Sequence, residues 1–292
     1  MPQKPTLLSW PILFFLMIVW GSSFILIKRS LVVFSPQEVG ALRIVITFIA
    51  LLPLAIIRIK QIHGKTWSIL VITALLGSGL PPFLFARAQV GIDSNLAGIL
   101  NSLTPLFTLI FSLFFFRFKA KWYNVLGVFI GLSGAVGLLQ VSGGNEFTFN
   151  FKYAIYVILA TMCYAMNVNL IKSYLKEIDA VSITAFTFFI LGIPVLIYLL
   201  IFTDFTAQLS HDPNVLSGLG YMAILALAGT ALALILFNRL IKISTPLFAS
   251  SVTYLIPVVA VVWGIIDGEA FELSFFIWIG LILGGVFLVN RR

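Results

Sequence analysis

The sequence predicts an all-α integral membrane protein, with ten transmembrane helices arranged as two inverted five-helix repeats. Composition, the spacing of apolar runs and an internal self-similarity each point there. Of 292 residues, 61% are hydrophobic and only 10% charged, and the mean hydropathy is +1.12. A soluble domain is about 45–50% apolar and about 25% charged, so this chain lacks the polar surface to cover a water-soluble globule. The 28 Phe, 6 Trp and 8 Tyr exclude disorder, because they carry far too much buriable surface.

A run of about 20 apolar residues crosses a bilayer as a helix. Breaks at charged residues and at Gly, Pro, Asn and Asp clusters delimit ten such runs. The first, 9–30, follows Lys4 and reads as an uncleaved span. A secretory signal ends in small residues, and Trp20, Phe24 and Ile25 stand in that place. The second is 36–58 and carries Arg43. The third, 66–88, contains Gly77-Ser78-Gly79 and then Pro81-Pro82, which make it breakable. In the fourth, 94–116, Asn101, Ser102 and Thr104 precede Pro105. The fifth, 121–141, is spaced by Gly127, Gly131 and Gly134.

The sixth to tenth spans are 152–173, 180–202, 215–239, 244–266 and 273–290. Gly229-Thr230 sits in the eighth, Thr253 and Tyr254 precede Pro257 in the ninth, and Gly280 and Gly284 punctuate the tenth. The expected domains are therefore 1–141 and 152–292, joined by a 142–151 loop.

The formal charge of +8 invites a nucleic-acid reading, but the basic residues are scattered between apolar runs. With the N-terminus in the cytoplasm, 13 of the 18 basic residues fall on the cytoplasmic side and eight acids on the outer side. The positive-inside rule then favours both termini cytoplasmic, in a multi-pass protein of the cell membrane. A single cysteine, Cys163, allows no intrachain disulfide, and His63 and His211 cannot make a multi-histidine metal site. No metal and no cofactor are expected.

The two halves align. Phe24 to Lys28 matches Val168 to Lys172, Ala86-Arg87 matches Asn238-Arg239, and Ala97 to Leu106 matches Ala249 to Val258 with Pro105 over Pro257. Gly127-x-x-x-Gly131 matches Gly280-x-x-x-Gly284. Five spans is an odd number, so the second half enters the bilayer upside down. Inverted repeats are characteristic of secondary transporters, with the substrate site near the midplane between the halves.

Trp20-Gly21-Ser22-Ser23-Phe24, Ala41-Leu42-Arg43, and Pro105 and Pro257 followed by Gly268-Glu269 resemble the motifs of EamA-type transporters of the drug/metabolite transporter superfamily. The resemblance covers nearly the whole chain. It implies a ten-helix transporter with a central cavity lined by the first, third, fourth, sixth, eighth and ninth helices, and export of amino acids or other small metabolites. Two positions depart from the family pattern: Arg117 replaces the Glu that ends the fourth span, and Thr187 stands opposite Arg43.

Polar groups are costly in hydrocarbon and face protein or water. Arg43 either offers its guanidinium to a substrate carboxylate or phosphate, or is a structural arginine that satisfies carbonyls between helices or snorkels to the outer surface. Asn101, Thr104, Thr253 and Tyr254 lie beside carbonyls freed by proline, where they can bind substrate or repair the helix. Trp20 and Tyr164 sit at mid-span, away from the interfaces where such rings gather. Of Asn167 and Asn169, two residues apart, at most one faces a cavity. With Ser23, Ser78 and Thr230 these complete the candidate lining, and Pro81, Pro82, Pro105 and Pro257 are the candidate hinges. The glycines of the fifth and tenth spans read as packing contacts, or as a dimer surface.

No Asp or Glu lies deep in a span, which disfavours a carboxylate proton relay. The expected function is alternating-access export of a small organic metabolite such as an amino acid. The second reading, a carrier for phosphorylated or nucleotide-linked sugars, needs several cavity cations. Only Arg43 is inside a span, with Lys28, Arg87, Lys172 and Arg239 at ends. An enzyme is not expected, since there is no His-Glu-x-x-His motif and no intramembrane acid–base pair.

Overall fold

The computed structural model describes residues 7–59, 62, 64, 66–88, 91, 94–142, 151–211, 214–266 and 273–291. Among these, all regular structure is helical. The Gly268-Glu269 motif and residues 143–150 of the expected connecting loop lie outside the described residues, as does the side chain of Lys28.

The first half comprises α1 (Ser9–Ser30), α2 (Pro36–Arg58), α3 (Thr66–Ala74), a π-turn at Leu75–Gly79, α4 (Leu80–Ala88), α5 (Ser94–Asn101), α6 (Thr104–Phe114) and α7 (Trp122–Ser142). The second comprises α8 (Phe151–Tyr174), α9 (Ala180–Ile201), α10 (Phe205–His211) and α11 (Val215–Ala226). It continues through a π-turn at Leu227–Leu232 to α12 (Ala233–Ile243), α13 (Pro246–Ser250), α14 (Val252–Ile266) and α15 (Ser274–Asn290).

Five stretches are long and apolar enough to cross a membrane: Pro36–Arg58, Thr66–Phe85, Phe151–Tyr174, Ala180–Ile201 and Val215–Ile243. Five shorter apolar helices occupy the other expected spans. Around the bundle large apolar side chains face outward, among them Phe114 (78% exposed), Ile57 (75%) and Phe202 (72%). Apolar exposure on that scale suits hydrocarbon and not water.

Local chemistry sets the helix starts. Ser35 and Glu38 form a reciprocal capping box on α2, with Pro36 in the first turn where its missing N–H costs nothing. Asp179 caps α9 through the amides of Val181 and Ser182. Thr245 caps α13 in the same way through the Phe248 amide.

Helix pairs α2/α9 and α7/α15 form the longest packed seams. At the first, Phe48 of α2 lies against Gly192 of α9 so closely that no side chain fits there. At the second, a Cβ on Gly127 would stand 2.8 Å from the Gly285 carbonyl, and one on Gly134 2.8 Å from the Ile282 amide. The packing reading of these glycines therefore needs one correction. Gly285 makes the contact in α15, whereas Gly280 and Gly284 face open space, because they lie on a different side of that helix.

The candidate hinge prolines sit differently in their spans. Pro105 is not mid-helix: α5 ends at Asn101, and Pro105 occupies the first turn of α6. The break in the ninth span falls at Ser251, six residues before Pro257, which sits inside α14. Pro81 and Pro82 follow Leu80 in α4 immediately after the π-turn, inside a continuous helical stretch.

Candidate substrate cavity

A cavity of about 190 Å³ lies between the two halves. For scale, an apolar cavity of about 150 Å³ holds a benzene ring. The space suits a small metabolite. Its walls come from the helices that the family resemblance implies, with Arg43 and Ile44 of α2 and Phe188 of α9 in addition.

Ten of the eleven candidate residues meet here. Trp20 and Ser23 come from α1, Arg43 from α2, and Ser78 from the first π-turn. Asn101 and Thr104 flank the α5–α6 break, and Tyr164 and Asn167 project from α8. Thr230 belongs to the second π-turn and Thr253 to α14. Pro82 also reaches the wall, whereas Pro81, Pro105 and Pro257 do not.

Tyr254 points elsewhere. It is fully buried, its hydroxyl donates to the Val128 carbonyl at 3.0 Å, and its ring fills the space over Gly131. Adjacent helical residues diverge by about 100°, so Thr253 and Tyr254 cannot both face the cavity. Asn167 and Asn169 divide likewise. Asn169 is turned to α6, accepting from Ser112 at 2.6 Å and donating to the Thr108 carbonyl at 3.2 Å.

The second π-turn is the most heavily bonded part of the wall. A π-turn shifts backbone partners to i→i+5 and so re-aims carbonyls. The Gly229 carbonyl accepts from Trp20 Nε1 at 3.0 Å and from Arg43 Nη2 at 3.4 Å. Thr230 Oγ1 accepts from Arg43 Nε at 2.6 Å and donates to the Leu225 carbonyl at 3.1 Å. Thr47, one turn after Arg43 on the same face, shares its one hydroxyl proton between the Arg43 carbonyl at 2.8 Å and the Ala226 carbonyl at 3.1 Å. A guanidinium has five N–H donors. Two are engaged, and Nη1 has no protein partner among the described residues. The two roles left open for Arg43 are thus compatible: the residue holds the π-turn and also lines the cavity.

Sequence reasoning passed over Thr47 and the aromatic walls Phe85, Phe188 and Phe237. The i, i+4 spacing of Arg43 and Thr47 was the one available signal for Thr47. Phe85 stacks on Tyr164 at 6.1 Å, and Phe237 meets Trp20 edge-on at 5.1 Å.

The cation cluster needed by the phosphorylated-sugar reading does not form among the described residues. Arg87 and Arg239 are exposed, and Lys172 donates to the carbonyls of Lys242 (2.8 Å) and Ser244 (2.6 Å), capping a helix end. Away from the cavity, Arg58 pairs with Asp179 at 2.7 Å and ties α2 to the start of α9. Burial opposes ionisation of the Asp179 carboxyl. Hydrogen bonds from Ser182 and the Arg58 guanidinium outweigh it and hold this group below the usual carboxylate range.

Comparison with known proteins agrees with this architecture. The model of the EamA-like transporter family matches twice, over residues 8–140 and 151–291. An uncharacterized transporter of Archaeoglobus fulgidus is 26% identical over 285 residues, spanning 97% of this chain and 99% of the relative. The uncharacterized inner membrane transporter YedA of Escherichia coli is 27% identical over 282 residues, 95% of this chain and 89% of the relative. A solved crystal structure covers 96% of this chain and 95% of its own, with a TM-score of 0.75 at 18% identity, a likeness of fold alone.

Proposed function

The chain belongs to the EamA-like transporter family and is a multi-pass membrane transporter; from that premise we propose that it exports a small organic metabolite, such as an amino acid, by alternating access. In this reading ten spans cross the cell membrane as two inverted sets of five, with both termini cytoplasmic. The halves rock about the cavity, and the site comprises Trp20, Ser23, Arg43, Ser78, Asn101, Thr104, Tyr164, Asn167, Thr230 and Thr253.

The observation that carries the reading is Arg43, which lines a cavity walled by both matched repeats and keeps Nη1 without a protein partner among the described residues. A fixed guanidinium in a low-dielectric site attracts a carboxylate strongly and holds it in one orientation. The aromatic wall then takes an apolar side chain. The protein acts by binding and moving its ligand, without chemistry on it.

Purified protein reconstituted in vesicles should move labelled amino acids above the level of empty vesicles. Absence of flux across a broad panel of metabolites would overturn the reading.

A further inference from the structure

The hydroxyl and indole donors of the cavity wall are largely spent on protein carbonyls. Trp20 Nε1 is spent on the Gly229 carbonyl, and Ser23 Oγ donates at 2.8 Å to the Val19 carbonyl of its own helix. Thr104, Thr230, Ser250 and Thr253 likewise donate back to the carbonyls of Asn101, Leu225, Leu247 and Ser250. Each of these hydroxyls keeps only lone pairs for a ligand. The hydroxyls of Tyr164 and Ser78, with no protein partner among the described residues, can serve either way.

Within this wall, the side-chain oxygens of Asn101 and Asn167 are buried and accept no hydrogen bond. They come from opposite repeats. Asn101 is the last residue of α5, held at the helix break where Thr104 Oγ1 bonds its backbone carbonyl at 2.7 Å. Asn167 lies on α8 directly over Gly77 of the first π-turn. A buried acceptor without a donor is costly, and native structures tolerate it where a ligand or ordered water completes it.

We propose that Asn101 and Asn167 form the pole that reads a hydrogen-bond-donating group of the ligand, an amino group or a hydroxyl. Arg43 holds the carboxylate in the reading given above, on which this inference rests. Together they select a compact carboxylate that also carries a donor, over the same carboxylate without one. The discrimination follows because a ligand lacking the donor leaves both amide oxygens desolvated and unpaired.

Matched triplets of ligands test this by thermal-shift titration of the purified protein. One triplet is propionate, lactate and alanine, and another is 3-phenylpropionate, phenyllactate and phenylalanine. The donor-bearing members should bind about tenfold or more tighter than the plain acid within a triplet. In Asn101→Leu combined with Asn167→Leu, that ratio should collapse to about one. Asn101→Asp and Asn167→Asp keep the acceptor oxygens, should fold where the leucine variants fail, and should favour the amino acid over the hydroxy acid. Equal binding within every triplet, or a ratio that survives both leucine substitutions, overturns this inference alone. Silence from all six compounds overturns the carboxylate reading beneath it, and this inference with it.

Discussion

The two π-turns occupy corresponding places in the two halves, yet they are held differently. Leu227–Leu232 is clamped by three side chains from α1 and α2, through the carbonyls of Ala226 and Gly229 and the Thr230 hydroxyl. Leu75–Gly79 receives no comparable side-chain donors among the described residues. Its Gly77 is covered by Asn167, whose amide oxygen is unpaired, and its neighbour Tyr164 has a hydroxyl without a protein partner. The sequence departure behind this is small, since Thr187 stands where the first half has Arg43. A fold that repeats itself has thus tied one copy with side-chain hydrogen bonds and left the other with polar groups to spare. In the proposed reading, the first turn, with the unpaired Asn167 oxygen beside it, has hydrogen-bonding capacity left for a ligand, and the second has most of its own engaged.

Removing the clamp should have the largest effect. Arg43→Ala removes the guanidinium donor from Thr230 Oγ1, which still donates to Leu225, and one of the two donors from the Gly229 carbonyl, a cost of about 1.5–3 kcal/mol per charged hydrogen bond lost. The ligand-free melting temperature should fall and vesicle flux should be lost. Arg43→Lys should not restore either, because an ammonium cannot reach two acceptors with a planar fork. Wild-type flux in Arg43→Ala would dissolve the distinction between the turns.

Placing a methyl group on each turn gives the next contrast. Gly77→Ala drives a Cβ into the Asn167 amide and should cost about 1–3 kcal/mol while displacing that side chain from the cavity. Gly229→Ala meets Ser23 Oγ at 3.0 Å, the movable end of a small side chain, and should cost less. Ligand affinity measured on both variants would show whether the first turn carries the binding groups. A larger loss in Gly229→Ala would reverse the assignment.

Trp20→Phe keeps an aromatic wall but deletes the indole donor to Gly229. It should lower stability by about 1 kcal/mol, read as a modest fall in melting temperature, with flux reduced but present.

The smallest effect is expected where neither turn is touched. Asp179 has a lowered folded pKa, so its contribution is fully present above the unfolded value of about 3.9 and is lost as pH falls through the lower folded one. The pair with Arg58 is partly exposed, which limits its worth. Asp179→Asn should flatten the acid limb of a melting-temperature profile below about pH 5 and leave ligand affinity at neutral pH unchanged.

Membership of the cavity was largely readable from residue type. A polar or aromatic residue at mid-span has few places to go in hydrocarbon, and ten of the eleven candidates line one space. Tyr254 shows where that logic stops. Its residue type and depth match those of Tyr164, and only its rotation about the helix axis, fixed by Gly131 and the Val128 carbonyl, turns it into the packing. The prolines are a partial guide for a related reason. Proline marks where a hydrogen bond is missing, and the Asn101–Thr104 break lies beside Pro105 and the first π-turn beside Pro81-Pro82, but the second π-turn has no adjacent proline and Pro257 sits inside α14.

The sequence by itself determined that this is a helical membrane protein, that its halves repeat, and which few polar groups enter the apolar interior. Those properties follow from local composition and order, because hydrocarbon penalises every unmatched polar group wherever it lies. Only the tertiary structure decided which side of each helix faces the cavity and which acceptors are already taken. Hydrogen bonds such as Trp20 to Gly229 and Arg43 to Thr230 join residues roughly two hundred positions apart, and no local pattern along the chain encodes that pairing.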